Sequence, residues 1–150
     1  MEKIRWGIIG PGNIANNFAD GLKGSYSGQL VSIASKSEDR RKIFGDKYEI
    51  HPDFRFGSYE DIINSEHIDA IYISTPHTLH AEWTIKAAGK GKHILCEKPG
   101  AINFNEGKKI IDAVREAGVF YMEGFMYRCH PQIPKLVEII KNKIIGNVIS

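Results

Sequence analysis

Short apolar runs alternate with amphipathic stretches along this chain, the pattern left by a parallel sheet wrapped in helices. Ile4 to Ile9 is short, apolar and β-branched, which predicts a buried strand. After a glycine turn, Ile14, Phe18 and Leu22 recur every four residues with Ala15 and Ala19 beside them, predicting a helix with one apolar face. Leu30 to Ala34 predicts the second strand, and Ser37 then caps a helix with Glu38 and Asp39 in its first turn, where the dipole favours negative charge. His51 to Phe56 follows neither period cleanly, and a short third strand is expected there. Ser58 and Asp61 resemble a capping box for a brief helix around Ile62 and Ile63. Ala70 to Ile73 and His93 to Cys96 predict two more strands, separated by a helix with Leu79, Trp83 and Ala87 on one face and an end near Gly89. Asn103 and Glu106 open another helix, which Gly118 stops. Val119 to Met122 is expected as the last strand of the set. Ile133, Leu136, Val137 and Ile140 mark a final helix, and Gly146 to Ile149 starts something extended.

The turn after the first strand reads Gly10-Pro11-Gly12-Asn13-Ile14-Ala15, a G-x-G-x-x-A sequence at the mouth of a helix. Gly10 allows a tight turn, Gly12 lets backbone approach a pyrophosphate, and Ala15 permits close packing of helix on strand. Free N–H groups and the positive dipole end of the helix favour phosphate there. Glycine turns are common. A strand–turn–helix–strand unit at the start of the chain turns this one into a dinucleotide-binding prediction. The expected fold class is α/β, a Rossmann doubly wound parallel sheet with helices on both faces.

The second strand end selects the nucleotide. NAD-binding domains of this kind carry an acid about 20 residues past the glycines for the ribose 2′-hydroxyl. Here the strand runs Ile33-Ala34-Ser35-Lys36-Ser37 with no acid at its tip. Ser35, Lys36 and Arg40 offer a hydroxyl and two cations suited to a 2′-phosphate, so NADP is expected ahead of NAD. The missing acid also counts against an S-adenosylmethionine methyltransferase.

Composition narrows the partners. The 150-residue chain is 42% hydrophobic and 25% charged, enough for a core, and its net charge of +2 is too small to announce a nucleic-acid or membrane partner. The two cysteines, Cys96 and Cys129, are far apart and read as free thiols of a reducing compartment. No apolar run approaches transmembrane length. The strand-like start leaves no room for a signal peptide, so a cytoplasmic location is expected.

Two later strand ends carry unusual sequences, Ser74-Thr75-Pro76-His77-Thr78-Leu79-His80 and Cys96-Glu97-Lys98-Pro99. With the glycine turn, they make the chain resemble the N-terminal domain of the glucose–fructose oxidoreductase, inositol dehydrogenase and rhizopine-catabolism (Gfo/Idh/MocA) family. The tail Glu123-Gly124-Phe125-Met126-Tyr127-Arg128 with Pro131 looks most like its dihydrodiol, xylose and glucose–fructose branch. The resemblance implies that Lys98 lies beside nicotinamide and substrate and moves the proton of the reacting hydroxyl, with Glu97 orienting Lys98 or contacting cofactor. It also implies cofactor contacts from Ser74, Thr75, Pro76 and His80, with Arg128 as a partner of cofactor or substrate anions. The family usually has Asn where this chain has His77, which leaves that residue's role open. His77 and His80 have no further ligand near in sequence, so no metal site is expected.

Family members carry a second domain with a large antiparallel sheet. Residues 1–124 are therefore expected to be the NADP-binding domain, and 125–150 a connecting helix with the start of a substrate domain absent from this chain. The implied activity is hydride transfer between NADP and a sugar-like or cyclic polyol hydroxyl, in relatives that form homo-oligomers. The alternative is a truncated or non-catalytic module that binds cofactor without turnover.

Overall fold

Ile8 and Ile9 adjoin in sequence and both are fully buried, yet they belong to separate cores on opposite faces of one sheet. Alternation along a strand sends neighbours to opposite faces, so a strand this apolar must be covered on both sides. The computed structural model describes residues 2–147 and 149. Its strands are β1 (Ile4–Ile9), β2 (Gly28–Ala34), β3 (Arg55–Phe56), β4 (Ala70–Ile73), β5 (His93–Cys96) and β6 (Tyr121–Glu123). All pair in parallel, in the order β3-β2-β1-β4-β5-β6. The order reverses between β1 and β4, and there the crevice outside the strand carboxyl ends opens.

The helices are α1 (Asn13–Lys23), α2 (Glu38–Lys47), α3 (Tyr59–Asn64), α4 (His80–Ala88), α5 (Phe104–Ala117) and α6 (Gln132–Lys141). Ile8, Ile33 and Tyr72 pack against Ala15 and Ala19 of α1 and Phe44 of α2. Ile9, Ile71, Ile73 and Ile94 pack on the other face with Ile62 of α3, Trp83 and Ala87 of α4 and Val114 of α5. Each fully buried isoleucine contributes about 1.5–3 kcal/mol. The expected α/β doubly wound architecture is the observed one.

Boundaries differ from expectation for local reasons. The final strand starts at Tyr121, not Val119. Gly118 adopts a left-handed φ of 65° and the Val119 N–H bonds the Val114 carbonyl at 3.2 Å, so Val119 closes the helix. The third strand shrinks to Arg55–Phe56 because Pro52 opens a 3₁₀ turn over Pro52–Phe54. The extended start expected at Gly146 to Ile149 falls partly outside the described residues. Gly146 donates to the Lys143 carbonyl in a turn, Gly146, Asn147 and Ile149 belong to no strand, and Val148, like Ser150, lies outside the described residues.

Candidate functional site

The loop from β1 into α1 is shaped by its two glycines. Gly10 has φ +90°, and a Cβ there would meet the Ser74 carbonyl oxygen at 3.0 Å, so only glycine fits. Gly12 is the N-cap of α1 in extended backbone, supplies no side-chain cap, and is followed by no acidic residue in the first turn. The helices α2, α3 and α5 are instead capped by Ser37, Ser58 and Asn103, with acids in their first turns. The opening N–H groups of α1, from Asn13 and Ile14 onward, are thus left for an outside anion. A Cβ on Gly12 would meet nothing within 4 Å, so the space beside this opening turn is free of protein atoms among the described residues. That cradle fits a dinucleotide pyrophosphate.

The end of β4 is tied to this loop. Ser74 donates its backbone N–H to the Ile9 carbonyl at 2.9 Å and its hydroxyl to the Gly10 carbonyl at 2.7 Å. Ser74 therefore fixes the turn, and its hydroxyl is already committed. Thr75, 8% exposed, has a buried Oγ1 with no hydrogen-bond partner among the described residues, an orphan that a ligand would satisfy. Pro76 and His77 are exposed at the start of the next 3₁₀ turn. His80 is buried, with both ring nitrogens on backbone carbonyls.

The end of β5 brings Glu97 beside the Ser74 segment, through the Ile73–Cys96 register and the Glu97 N–H to Ile73 carbonyl bond of 2.9 Å. Glu97 is buried and accepts the Tyr72 hydroxyl at 2.6 Å. Burial and that carboxylate push the Tyr72 phenol well up, so it remains a donor. Lys98 and Pro99 are exposed and joined by a cis peptide bond. Lys98 makes no ion pair among the described residues. A small hollow of about 130 Å³ opens between α1 and these tips, lined by Ile14, Phe18, Tyr72, Glu97, Gly124 and Met126 among others. Hollows of about 540 and 480 Å³ lie away from it. One, on the sheet face near Trp6, Phe120 and Met122, is almost wholly apolar and offers no polar group to orient a reactant. The other lies along α5 and β6 around Phe104, Ile111 and Arg115.

At the tip of β2, Ser35 is buried and its hydroxyl accepts the Ser37 N–H at 3.2 Å. Lys36 and Arg40 are exposed. The Lys36 ammonium stands 5.7 Å from the centre of the Tyr59 ring, and Arg40 is near enough to that tyrosine to bias its phenol electrostatically. The sequence reading passed over Arg41, whose guanidinium donates to the Ser35 carbonyl at 2.7 Å and holds the tip in place. Tyr72 was also missed. Its signal was a hydroxylated aromatic in an otherwise aliphatic strand, which must find a partner when buried. Glu123, which opens the tail noted in the sequence, accepts the Gly100 N–H at 2.7 Å beyond the Lys98–Pro99 bond, a contact the motif did not show. Arg128 is exposed on the 3₁₀ turn Met126–Cys129 and has no ion pair among the described residues.

Known proteins share this arrangement. The profile of an oxidoreductase family with an NAD-binding Rossmann fold, Gfo/Idh/MocA, matches residues 4–125. The chain belongs to this family. Among Gfo/Idh/MocA relatives, D-xylose 1-dehydrogenase (NADP(+)) 2 of Haloferax volcanii is 34% identical over 98% of the chain and 44% of its own length. A 3-ketoreductase from Actinomadura kijaniata, solved with TDP-benzene and NADP, superposes with a TM-score of 0.88 at 32% identity, over 97% of this chain and 45% of its own. A putative NADPH-dependent oxidoreductase from Desulfitobacterium hafniense superposes with a TM-score of 0.92 at 30% identity, over 99% and 42%. The chain thus spans less than half the length of the Gfo/Idh/MocA proteins it matches. Among the described residues no helix is long and apolar enough to cross a membrane, and no three His, Cys, Asp or Glu residues converge as metal ligands.

Proposed function

We propose that this chain binds NADP across the crevice at the β1/β4 reversal, as the cofactor-binding part of an oxidoreductase acting on a sugar-like or cyclic polyol hydroxyl. The observation that carries the reading is the open cradle at Gly12 beside the unpartnered Thr75 hydroxyl and the exposed Lys98, at the ends of β1, β4 and β5. The dehydrogenase and ketoreductase relatives support it, since their names give NADP and sugar-type substrates. Residues 1–124 form the cofactor-binding domain in this proposal, and 125–150 lead toward a second domain that supplies most substrate contacts.

The bound nicotinamide supplies hydride acceptance and donation at the substrate carbon. Gly10 sets the turn, and its carbonyl accepts the Gly12 N–H at 2.9 Å, while Asn13 and Ile14 offer backbone N–H groups to the pyrophosphate. Ser35, Lys36 and Arg40 take the 2′-phosphate; one charge-assisted hydrogen bond there contributes about 1.5–3 kcal/mol, tenfold or more in affinity. Ser74 anchors the turn from below, and Thr75 and Pro76 line the cofactor. Glu97, held by Tyr72, fixes the backbone from which Lys98 projects. The Lys98 ammonium gives a proton to the substrate oxygen in reduction, and its neutral amine takes a proton from the hydroxyl in oxidation. Arg128 is assigned to substrate or cofactor anions.

Parallel titrations with NADPH and NADH, followed by Trp6 and Trp83 fluorescence, test the reading. NADPH binds about tenfold tighter or more, Lys36→Ala narrows that gap, and Lys98→Ala leaves affinity within about twofold. Equal binding of both nucleotides sinks the 2′-phosphate assignment, and binding of neither sinks the whole proposal. A module that binds cofactor without turnover is favoured by one observation, that Lys98 has no ion-pair partner among the described residues to orient it. Robust substrate oxidation by this chain alone would exclude it.

A further inference from the structure

His80 opens α4, yet it is only 2% exposed, and its ring reaches two different strand-end loops. Nε2 lies 2.8 Å from the carbonyl oxygen of Thr75, just beyond β4. Nδ1 lies 2.8 Å from the carbonyl oxygen of Pro99, just beyond β5. A carbonyl oxygen only accepts, so the nitrogen that carries the ring proton donates to its loop, and the other nitrogen stays in contact with the second carbonyl. The two loops carry the unpartnered Thr75 hydroxyl and the Lys98 side chain. The Lys98 backbone is pinned on its other side as well, where the Glu97 N–H bonds Ile73 and the Glu97 carboxylate holds Tyr72. Farther along, Gly100 donates to Glu123. With both nitrogens engaged on protein carbonyls inside the fold, the ring has no polar atom left for a cofactor.

We propose that His80 is a positioning residue that ties the Thr75 loop to the Lys98–Pro99 loop, holding the cofactor-lining hydroxyl and the proton-carrying ammonium at a fixed spacing. The inference rests on the roles proposed above for Thr75 and Lys98, but the tie itself is a property of the free chain. An asparagine amide nitrogen lies near the place of Nδ1 and a glutamine amide nitrogen near that of Nε2. His80→Asn therefore keeps the Pro99 contact and loses Thr75, and His80→Gln does the reverse.

Amide hydrogen exchange over residues 75–79 and 98–103 reads each tie, and titration with NADPH and with adenosine 2′,5′-bisphosphate reads its consequence. His80→Asn speeds exchange in 75–79 by about tenfold and leaves 98–103 protected, and His80→Gln gives the opposite pattern. Both variants weaken NADPH by about tenfold, yet change adenosine 2′,5′-bisphosphate, which lacks the nicotinamide end, by less than about twofold. Exchange that rises equally in both loops, or throughout β1 and α1, overturns the proposal, and so does equal loss of both nucleotides. If the wild-type chain binds neither nucleotide, the NADP reading fails, while loop-selective exchange still decides the tie.

Discussion

The Tyr72 hydroxyl donates to Oε1 of Glu97 across 2.6 Å, joining the middle of β4 to the tip of β5 in a buried contact. The ring stacks on Phe18 of α1 with centroids 4.1 Å apart, so one side chain links the phosphate-binding helix to the base of the Lys98 loop. Tyr72→Phe keeps the stacking and strands the Glu97 carboxylate. Loss of a hydrogen bond to a charged group predicts destabilisation of about 1.5–3 kcal/mol, measured by urea unfolding. A change under about 0.5 kcal/mol would mean that Glu97 does not depend on this bond.

Gly12 and Gly10 separate binding from stability. Gly12 has φ −95° and open space at its Cβ position, so Gly12→Ala costs only a poorer N-cap, about 0.5–1 kcal/mol, while crowding the pyrophosphate. Gly10→Ala forces a side chain onto φ +90° and against the Ser74 carbonyl, which costs about 1–3 kcal/mol of stability. Thermal melts and NADPH titrations of the two variants should rank them in opposite orders.

Acid should expose the Arg5–Asp69 pair. The Arg5 guanidinium donates to Asp69 at 2.6 and 3.0 Å, and this hydrogen bonding, more than charge alone, holds the carboxyl below its usual 3.8. A depressed folded value means that the contribution is present above about pH 3.8 and disappears as pH falls through the lower folded value. The urea midpoint of Asp69→Asn should lie below wild type at pH 7, and the gap should close as pH falls from 3.8 through the lower folded value. A gap independent of pH would assign the loss to packing.

The two thiols should differ in reactivity. Cys96 is buried beneath α4, and burial pushes its thiol up to about 12, whereas Cys129 is exposed. A thiol-specific reagent at neutral pH should label Cys129 alone in the folded chain and both residues in urea. Comparable labelling of Cys96 under native conditions would show that β5 opens.

Apolar period and caps were enough to place β1, β4 and β5, because each is a short aliphatic run stopped by Gly, Ser or Glu. The caps at Ser37, Ser58 and Asn103 were legible for the same local reason. The glycine turn and the Glu97-Lys98-Pro99 tip were legible as motifs. The contacts that join them were not, since Tyr72 and Glu97 are 25 positions apart and His80 and Pro99 are 19. Such pairs exist only once parallel register sets β4 beside β5. Val119 misled because its β-branched side chain suits a strand, while Gly118 before it claims its N–H for the helix end.

In the proposed complex a dinucleotide sits on the opening turn of α1 at the strand reversal. Amide resonances of the ¹⁵N-labelled chain, followed during addition of NADPH, test it most directly. The account predicts saturable shifts at Gly10, Gly12, Asn13, Ile14 and Thr75, joined by Lys36 at the far end. Shifts confined to the apolar hollow around Trp6 and Met122, or none at saturating NADPH, would contradict it.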